Sequence, residues 1–464
     1  MLSKERIDKV LTAALNKGGE FAELFFEKKQ SNQLSMESSR LEKVKTGYDL
    51  GVGIRVINGE QVSYAYTDDI TLDSLLETAK AAGTASKYNE DITINNLQRK
   101  NIDSDHQIKI RPETVEKIKK KEILETANNS ARNVDQRIQQ VMVSYIDYYQ
   151  QVLIANSTGL LVEDERVRTR MMVNAIASDG EIIQTGRETP GKHVGFELFD
   201  EYPPEEVGKK AGEKAITMLE ARPAPSRRMP VVVNHGFGGV LFHEACGHGL
   251  EADAIQKGSS VYTDRIGEKV ANKKVTAIDD ATVLNEWGSF VVDDEGYPAE
   301  ETVLIKDGEL TDYMYDYKTA KKEDRESTGN GRRQSYQSQP IPRMTNTFIA
   351  PGESKPEDIV SSVDRGLYAK SLSGGQVEPA TGDFTFTVAE GYLIEDGEIS
   401  EPVRNATLVG NGPESLHRIT MVGDDLEHAP GMCGKEGQSI PAAVGQPTLL
   451  IEELTVGGTE REEG

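Results

Sequence analysis

Residues 51–66, GVGIRVINGEQVSYAY, decide how the first part of this chain folds. Apolar residues alternate with small or polar ones on both sides of Asn58-Gly59, at Val52, Ile54, Val56, Val62, Tyr64 and Tyr66. Alternation is the period of a half-buried strand, and Asn-Gly is typical of a two-residue hairpin turn. The stretch therefore predicts two antiparallel strands, and with them an antiparallel sheet.

The segments around this hairpin predict helices and further strands. Apolar residues at helical spacing predict a helix over residues 4–16, and residues 71–87, 112–133 and 205–221 are also predicted to be helices. Residues 139–190 alternate again, with turn residues at 156–159 and 179–180, which predicts a meander of three or four strands. We therefore expect an α+β fold whose N-terminal part packs helices on an antiparallel sheet.

A change of composition predicts a domain boundary at residues 222–230, which hold three prolines and three arginines without an apolar period. The length of 464 residues favours two or three domains, and we place an N-terminal domain at 1–221 and a C-terminal domain at 231–464. The second domain is predicted to be mostly β and to carry one helix. Its predicted elements are a strand from 231, a helix over 236–255, a polar loop over 327–342 and short strands around 303–314, 384–394 and 447–456.

The composition excludes several classes of protein. With 77 acidic and 53 basic residues, the net charge is minus 24, which disfavours binding to nucleic acid or to a membrane surface. No stretch reaches the roughly 18 apolar residues that a membrane span needs, and the first residues do not resemble a signal peptide. Only two cysteines occur, too few for a disulfide framework. We expect a soluble cytoplasmic protein.

The sequence His243-Glu244-Ala245-Cys246-Gly247-His248 carries the groups that a catalytic zinc site needs. Neutral imidazoles bind zinc, and a carboxylate beside them can take a proton from water. The histidines lie at i and i+5, about 140° apart on a regular helix, so such a helix would aim them apart. Gly247 and Gly249 tolerate a local break. We therefore predict a distorted helix, and note that the chain has only seven histidines.

The second cysteine offers a third ligand. Cys433 lies in PGMCGKEGQS at 430–439, a loop-like stretch in which glycines allow the backbone to approach a site closely. Two histidines and a thiolate would leave one coordination position open. His428, five residues earlier, is an alternative or supporting ligand, although a histidine in an acidic loop is more often exposed.

Several long segments resemble one known family. They are HEACGHGLEAD at 243–253, GSSVYTDRIGEKVA at 258–271, DDEGYPAEETVLIKDGEL at 293–310, IPRMTNTFIAPGE at 341–353, GDFTFTVAEGYLIEDGEI at 382–399 and GMCGKEGQSIP at 431–441. Together they are similar to the TldD/PmbA family, also called modulators of DNA gyrase. The TldD-type members carry H-E-x-x-x-H and are zinc metallopeptidases, whereas PmbA-type (TldE) subunits lack it. This chain resembles the TldD type.

The resemblance implies roles for four residues. His243, His248 and Cys433 would bind Zn²⁺, and Glu244 would be the general base. It also implies a dimer, formed with a PmbA/TldE-type subunit or with a second copy, and an enclosed active site that admits short or unfolded polypeptides. No role follows for Cys246, which we interpret as a small buried residue.

Other candidates are weaker. Tyr262 and the acidic residues 293–295 lie in family-like stretches, but an acidic turn is more often solvated, and we favour that interpretation. Arg343 is a candidate for substrate binding, because an arginine can orient a carbonyl group or a carboxylate. We interpret it as a residue that supports the fold. His235 is interpreted as structural.

The preferred function is a cytoplasmic zinc metallopeptidase. The alternative is a non-catalytic interaction protein that modulates a topoisomerase or a toxin–antitoxin pair, which would not need Glu244. Zinc-dependent hydrolysis of a non-peptide amide would use the same residues.

Overall fold

The computed structural model describes residues 2–84, 94–378 and 380–459. Its N-terminal part is an eight-stranded sheet in the order β3-β2-β1-β5-β6-β4, with β7 and β8 also paired to β6. The strands are β1 (Phe21–Glu37), β2 (Arg40–Asn58), β3 (Gln61–Thr67), β4 (Gln98–Lys100), β5 (Ile138–Asn156), β6 (Leu160–Ser178), β7 (Ile183–Glu188) and β8 (Gly191–Lys192). All pairs are antiparallel except β4–β6.

Five helices accompany this sheet. They are α1 (Lys4–Leu15), α2 (Leu72–Gly83), α3 (Lys117–Arg132), α4 (Leu198–Glu201) and α5 (Pro204–Glu220). Their buried apolar stripes form two clusters with the sheet, one with α1 and α2 and one with α3 and α5. A 3₁₀ turn, Pro112–Thr114, precedes α3. The predicted helices on an antiparallel sheet are confirmed, including the hairpin at Asn58-Gly59; residues 85–87 of the helix predicted at 71–87 lie outside the described residues.

The C-terminal part contains two larger sheets and one two-stranded sheet. One has the order β17-β10-β24-β20-β18-β19-β9, with β21 on β24; β17 also pairs with β18, which closes five strands into a ring. Its strands are β9 (Arg222–Pro223), β10 (Arg227–Val233), β17 (Arg365–Glu378), β18 (Asp383–Glu395), β19 (Glu398–Arg404), β20 (Thr407–Asn411), β21 (Ile419–Val422) and β24 (Leu449–Gly457).

The other large sheet, in the order β13-β12-β11-β16-β23-β22, carries Cys433. Its strands are β11 (Ala277–Asp280), β12 (Glu301–Lys306), β13 (Glu309–Leu310), β16 (Asn346–Ile349), β22 (Glu427–Lys435) and β23 (Gln438–Gln446); β14 (Gly331–Arg332) pairs separately with β15 (Ile341–Pro342). The helices are α6 (Val240–Ala245), α7 (Ala252–Gln256), α8 (Tyr317–Lys322), α9 (Pro356–Ser361) and α10 (Gly412–His417). The mixed α+β class with a strand-rich C-terminal part is confirmed.

Two local predictions were wrong. The helix expected over 236–255 is not continuous. It is divided into four short pieces, namely a 3₁₀ turn, helix α6, a second 3₁₀ turn and helix α7. Residues 430–439 belong to the hairpin of β22 and β23, because glycine and proline are tolerated in an edge strand. The predicted polar loop over 327–342 contains only the short strands β14 and β15, and Asn330, Arg332 and Arg333 near its start are buried.

The division of the chain at residues 222–230 stays a prediction. Parts of that segment form β9 and the start of β10, paired with β19 and β24 respectively. Among the described residues, no helix has the length and apolar character needed to cross a membrane.

Candidate metal centre

A break in the helix brings the two histidines together. Helix α6 ends at Ala245, and Cys246 leaves helical geometry with φ −130° and ψ −45° before the 3₁₀ turn Gly247–Leu250. The rings of His243 and His248 are consequently 5.3 Å apart between centroids, although their spacing on a regular helix would separate them. The predicted distortion at this site is present in the structure.

Gly247 allows a close approach at this break. A Cβ atom added to Gly247 would lie 2.3 Å from Sδ of the buried Met344, well inside van der Waals contact. The chain can thus turn sharply between the two histidines and still pack against the segment before β16. The sequence requirement at this position is the absence of a side chain.

Cys433 in β22 completes a three-residue cluster. Its Sγ lies 3.3 Å from His243 Nε2 and 3.5 Å from His248 Nε2, and the ligand atoms of the three residues all lie within 4.8 Å of one another. Tetrahedral zinc with bonds of about 2.0–2.3 Å sets its nitrogen and sulfur ligands roughly 3.5 Å apart. The donor set and its spacing therefore fit a zinc ion.

Glu244 lies next to this cluster and remains accessible. Its Oε2 is 3.9 Å from His248 Nε2, and its side chain is 37% exposed. A carboxylate in this position can reach a water molecule or a substrate at the open side of the cluster.

Two residues that the sequence analysis did not single out support His248. Glu251 is fully buried, and its Oε2 lies 3.0 Å from His248 Nδ1. Lys435 approaches the same carboxylate oxygen at 3.0 Å and Asp253 at 2.5 Å. The sequence does place Glu251 three residues after His248 in HEACGHGLEAD, which could have suggested a contact between them. Only the folded chain shows which ring nitrogen of His248 the carboxylate contacts.

The electrostatics of the cluster favour a thiolate. Burial raises the pKa of Cys433, but the neighbouring His243 and His248 outweigh it and hold that pKa well below its usual range. Burial likewise opposes the charged form of His248, yet Glu251 raises its pKa well above normal. Despite burial, Lys435 and His248 lower the pKa of Glu251 to about 2. A charged carboxylate therefore remains beside His248 at neutral pH.

The other candidate residues lie outside the three-residue cluster. Arg343 is fully buried and donates through Nη2 to the carbonyl oxygen of Cys433 at 2.5 Å, so it holds the backbone of β22. Cys246 is buried outside the cluster, and burial raises its pKa to about 12. Tyr262 is buried against Gly249, and His235 contacts Glu427 at 3.1 Å.

His428 is neither an exposed loop residue nor part of the ligand cluster. It lies in β22, and its ring packs edge-on against Phe348 at 4.9 Å between centroids. Among the described residues, the cluster contains only His243, His248 and Cys433. The expectation that this histidine is exposed was wrong because the segment is a strand packed on β23 and β16.

The expectation of a solvated acidic turn at 293–295 was also wrong. Asp294 forms a 2.6 Å ion pair with Arg166 of β6, and Glu295 forms a 2.7 Å ion pair with Arg55 of β2. Both carboxylates are buried, as is that of Asp293, whose pKa burial raises to about 7. This turn joins the N-terminal sheet to the C-terminal part.

Comparison with known proteins identifies the class. Domain 1 of the PmbA/TldA metallopeptidases matches residues 22–86, the central domain matches 110–219 and the C-terminal domain matches 226–458. The chain belongs to this PmbA/TldD family of metallopeptidases.

Its relatives include named metalloproteases. The chain is 39% identical to the metalloprotease TldD homolog of Buchnera aphidicola subsp. Acyrthosiphon pisum, covering 95% of this chain and 93% of that protein. It is 38% identical to the TldD homolog of Haemophilus influenzae, covering 99% and 97%. The crystal structure of TM0727 from Thermotoga maritima has a TM-score of 0.82 at 25% identity, over 98% of this chain and all of that one. TldE from Thermococcus kodakarensis, at 20% identity over 98% of this chain and 100% of that one, shares the fold with a TM-score of 0.80.

Proposed function

We propose that this chain is a zinc metallopeptidase that hydrolyses short or unfolded polypeptides in the cytoplasm. The observation that carries the proposal is the convergence of His243, His248 and Cys433 on one point with Glu244 beside them. A family of metallopeptidases and relatives named metalloproteases support the reaction class.

The residues fit zinc rather than a harder cation. Two imidazoles and one thiolate are borderline and soft ligands, whereas magnesium and calcium prefer oxygen. Bound there, zinc would polarise the scissile carbonyl and lower the pKa of a water molecule. The thiolate donates more charge than an imidazole would, which favours modest turnover.

The remaining chemistry belongs to Glu244 and its neighbours. Glu244 takes a proton from the attacking water and passes it to the leaving amine. Glu251 fixes the ring of His248 through Nδ1 and so leaves Nε2 directed towards Cys433 and Glu244. Arg343 keeps Cys433 in place by donating a hydrogen bond to the carbonyl oxygen of Cys433.

The form of the substrate follows from the strand that carries Cys433. Among the described residues, strand β22 is the last strand of its sheet and pairs with β23 alone. An extended peptide beside such an edge gains affinity from main-chain hydrogen bonds, so selectivity for side chains should be broad. Folded proteins cannot offer an extended segment and should resist cleavage.

The setting and assembly are part of the same proposal. Both cysteines are free and buried, which suits a reducing compartment. The assembly is proposed to be a dimer, either with a PmbA/TldE-type subunit or with a second copy of this chain. The mass of the protein in solution, alone and mixed with such a subunit, tests this.

The deciding experiment uses Glu244→Gln. Glutamine preserves the size of the side chain but cannot accept the proton, so zinc content should match wild type while cleavage of an unfolded protein falls roughly 10²–10⁴-fold. Metal analysis and a digest with and without chelator provide the measurements. Glu398→Gln, an exposed carboxylate in β19, is the matched control and should cleave normally.

Each other outcome has a clear meaning. Substantial cleavage by Glu244→Gln would assign the proton transfer to another group. Zinc binding without cleavage by wild-type protein, alone or with its partner subunit, would favour the non-catalytic interaction protein.

A further inference from the structure

A cavity of about 840 Å³ lies between the N-terminal and C-terminal parts of the chain. Its walls come from β6, β7, β8 and α5 on one side and from β17, β18 and β22 on the other. None of His243, Glu244, His248 and Cys433 lines it. The volume is within the roughly 300–1,000 Å³ of small-molecule sites, and nothing in the proposed peptidase mechanism uses it.

Arg170 of β6 is one of the cationic groups of the cavity wall. Its Nη2 donates to the carbonyl oxygen of Pro430 at 3.0 Å, and its side chain packs on Gly191. Its Nε is buried without a hydrogen-bond partner, and no carboxylate of the described residues lies within 4.0 Å of the guanidinium. Burial lowers the pKa of Arg170 to about 10, so the group is still a cation at neutral pH.

Two further polar atoms of the cavity wall are buried without partners. They are Oγ of Ser371 in β17 and Nε2 of His428 in β22. Burial lowers the pKa of His428 to about 4, which leaves the imidazole neutral at pH 7 and able to donate or accept a hydrogen bond. These atoms have almost no accessible surface as the wall stands, so Ser371 and His428 meet a guest only after their side chains rotate towards the cavity.

The acidic residues of the wall do not neutralise Arg170, because most are paired elsewhere. Lys192 lies 3.1 Å from Glu201 and 3.6 Å from Glu286, and Lys214 lies 2.9 Å from Glu188. The remaining wall is partly apolar and includes Phe237, Leu372 and Val388. A guest therefore needs an anionic group for the arginine and an apolar body for the rest of the space.

We propose that this cavity binds an organic carboxylate with an apolar body, held by Arg170, with the Ser371 and His428 side chains turning towards it to form hydrogen bonds. Arginine recognises carboxylates through charge-assisted hydrogen bonds, and the low-dielectric wall strengthens them. The carboxylate can be the free C-terminus of a peptide or a separate small acid. The chemistry is the same for both sources, and binding can be measured without any turnover.

Trp287 provides a built-in reporter. It is the single tryptophan of the chain, its ring centroid lies 5.5 Å from the guanidinium carbon of Arg170, and its Nε1 donates to the carbonyl oxygen of Gly431 at 2.8 Å. A carboxylate that pairs with Arg170 changes the electrostatic field at the indole ring of Trp287. Tryptophan emission should therefore respond to binding in the intact chain.

The probes are N-acetylphenylalanine and its neutral amide, and the tripeptide Ala-Ala-Phe as free acid and as amide. The tripeptides are tested with Glu244→Gln protein so that they are not consumed. Saturable changes with at least one acid, and none with the matching amide, are expected. A response to the tripeptide acid alone assigns the site to peptide C-termini, and a response to N-acetylphenylalanine alone assigns it to a small acid.

Variants locate the binding. Arg170→Gln should weaken acid binding by at least about tenfold, because it removes the charge-assisted contact. Ser371→Ala removes an atom without a partner and should weaken binding while leaving the thermal midpoint unchanged. Arg227→Gln, the same change at an exposed arginine outside the cavity, should bind as wild type.

The proposal is overturned if acids and amides give equal responses, if neither acid gives one, or if Arg170→Gln binds as tightly as wild type. If Arg170→Gln does not fold, as judged by circular dichroism, Ser371→Ala decides instead, and unchanged affinity there removes the proposal. A chain that cleaves no peptide can still satisfy every binding criterion, so failure of the peptidase proposal is a separate result.

Discussion

The two ring nitrogens of His248 have different environments, and this difference suits the role of metal ligand that we propose for it. Nδ1 faces the buried carboxylate of Glu251 at 3.0 Å, whereas Nε2 faces Sγ of Cys433 at 3.5 Å. A carboxylate on one ring nitrogen fixes the orientation of the ring and raises the basicity of the other nitrogen. Glu251 should therefore be part of the metal affinity of this chain without touching the metal.

Glu251→Gln tests this at the scale of one residue. Glutamine still accepts from His248 but carries no charge, so zinc affinity should fall roughly 10–100-fold. Competition with a chromogenic chelator measures the change. Asp253→Asn is the control, because Asp253 contacts Lys435 but not His248, and its zinc affinity should stay near wild type. Equal zinc affinities for Glu251→Gln and wild type would show that the ring needs no carboxylate.

At the scale of elements, the site depends on a helix that breaks at one glycine. Gly247→Ala would place a Cβ atom 2.3 Å from Sδ of Met344, so either the buried Met344 side chain or the turn between the two histidines must shift. We expect the free energy of unfolding to fall by about 1–3 kcal/mol and zinc occupancy to fall with it. Denaturant titration and metal analysis measure both quantities.

Gly434→Ala is the matched control for that change. Gly434 lies in β22 beside Cys433, has nothing within 4 Å of an added Cβ, and does not have a left-handed backbone. Its stability and zinc content should stay near wild type. Full zinc occupancy and unchanged stability in Gly247→Ala would show that the break tolerates a side chain.

Elements set by local chemistry could be predicted from the sequence, and elements set by distant partners could not. The hairpin at Asn58-Gly59 and the meander of β5, β6 and β7 follow from alternation and turn residues. Strand β22 was missed because its glycines and proline are typical of loops, and only pairing with β23 makes it a strand. Three ligands and the base could be proposed from residue types, but the support from Glu251 required the folded geometry.

The acidic turn at 293–295 was misjudged for the same reason at the scale of the whole molecule. Its partners, Arg55 and Arg166, lie in the N-terminal sheet, more than a hundred residues away in sequence. Arg333 adds a hydrogen bond to the carbonyl oxygen of Asp294 at 2.7 Å. Breaking a buried ion pair of this kind is costly, because removing one partner takes away the compensation of the other charge.

Asp294→Asn should therefore destabilise the protein strongly. It removes one of the two carboxylates paired with the buried Arg166, whose 2.9 Å ion pair with Asp164 remains, and we expect a loss of up to about 3 kcal/mol in the free energy of unfolding. Asp307→Asn is the control, since Asp307 lies in the exposed turn between β12 and β13 and asparagine accepts its positive φ. Denaturation curves that coincide for the two variants would contradict a structural role for the pair.

Two histidines that pack against each other give the same interface a dependence on pH. His193 is buried, its ring centroid lies 4.4 Å from that of His106, and neither of its ring nitrogens has a hydrogen-bond partner among the described residues. Burial, and next the charge of Arg168, hold the pKa of His193 well below normal; burial also lowers that of His106, against the attraction of Asp164. Both histidines are thus neutral in the folded protein at pH 7.

A histidine whose pKa is lowered by folding contributes stability that is present above its unfolded pKa of about 6.5 and is lost as the pH falls below it. Each such histidine should lower the free energy of unfolding by up to about 1.4 kcal/mol per pH unit below that value. Asp293, whose pKa burial raises to about 7, acts in the opposite direction, since its contribution is lost as the pH rises through 7. Variants must therefore be compared with wild type at each pH.

In denaturant titrations from pH about 7.5 to about 5, His193→Phe should lose less stability than wild type on acidification, whereas His417→Phe, at an exposed position, should follow wild type. Parallel pH curves for wild type and His193→Phe would show that this buried pair does not set the acid sensitivity of the fold.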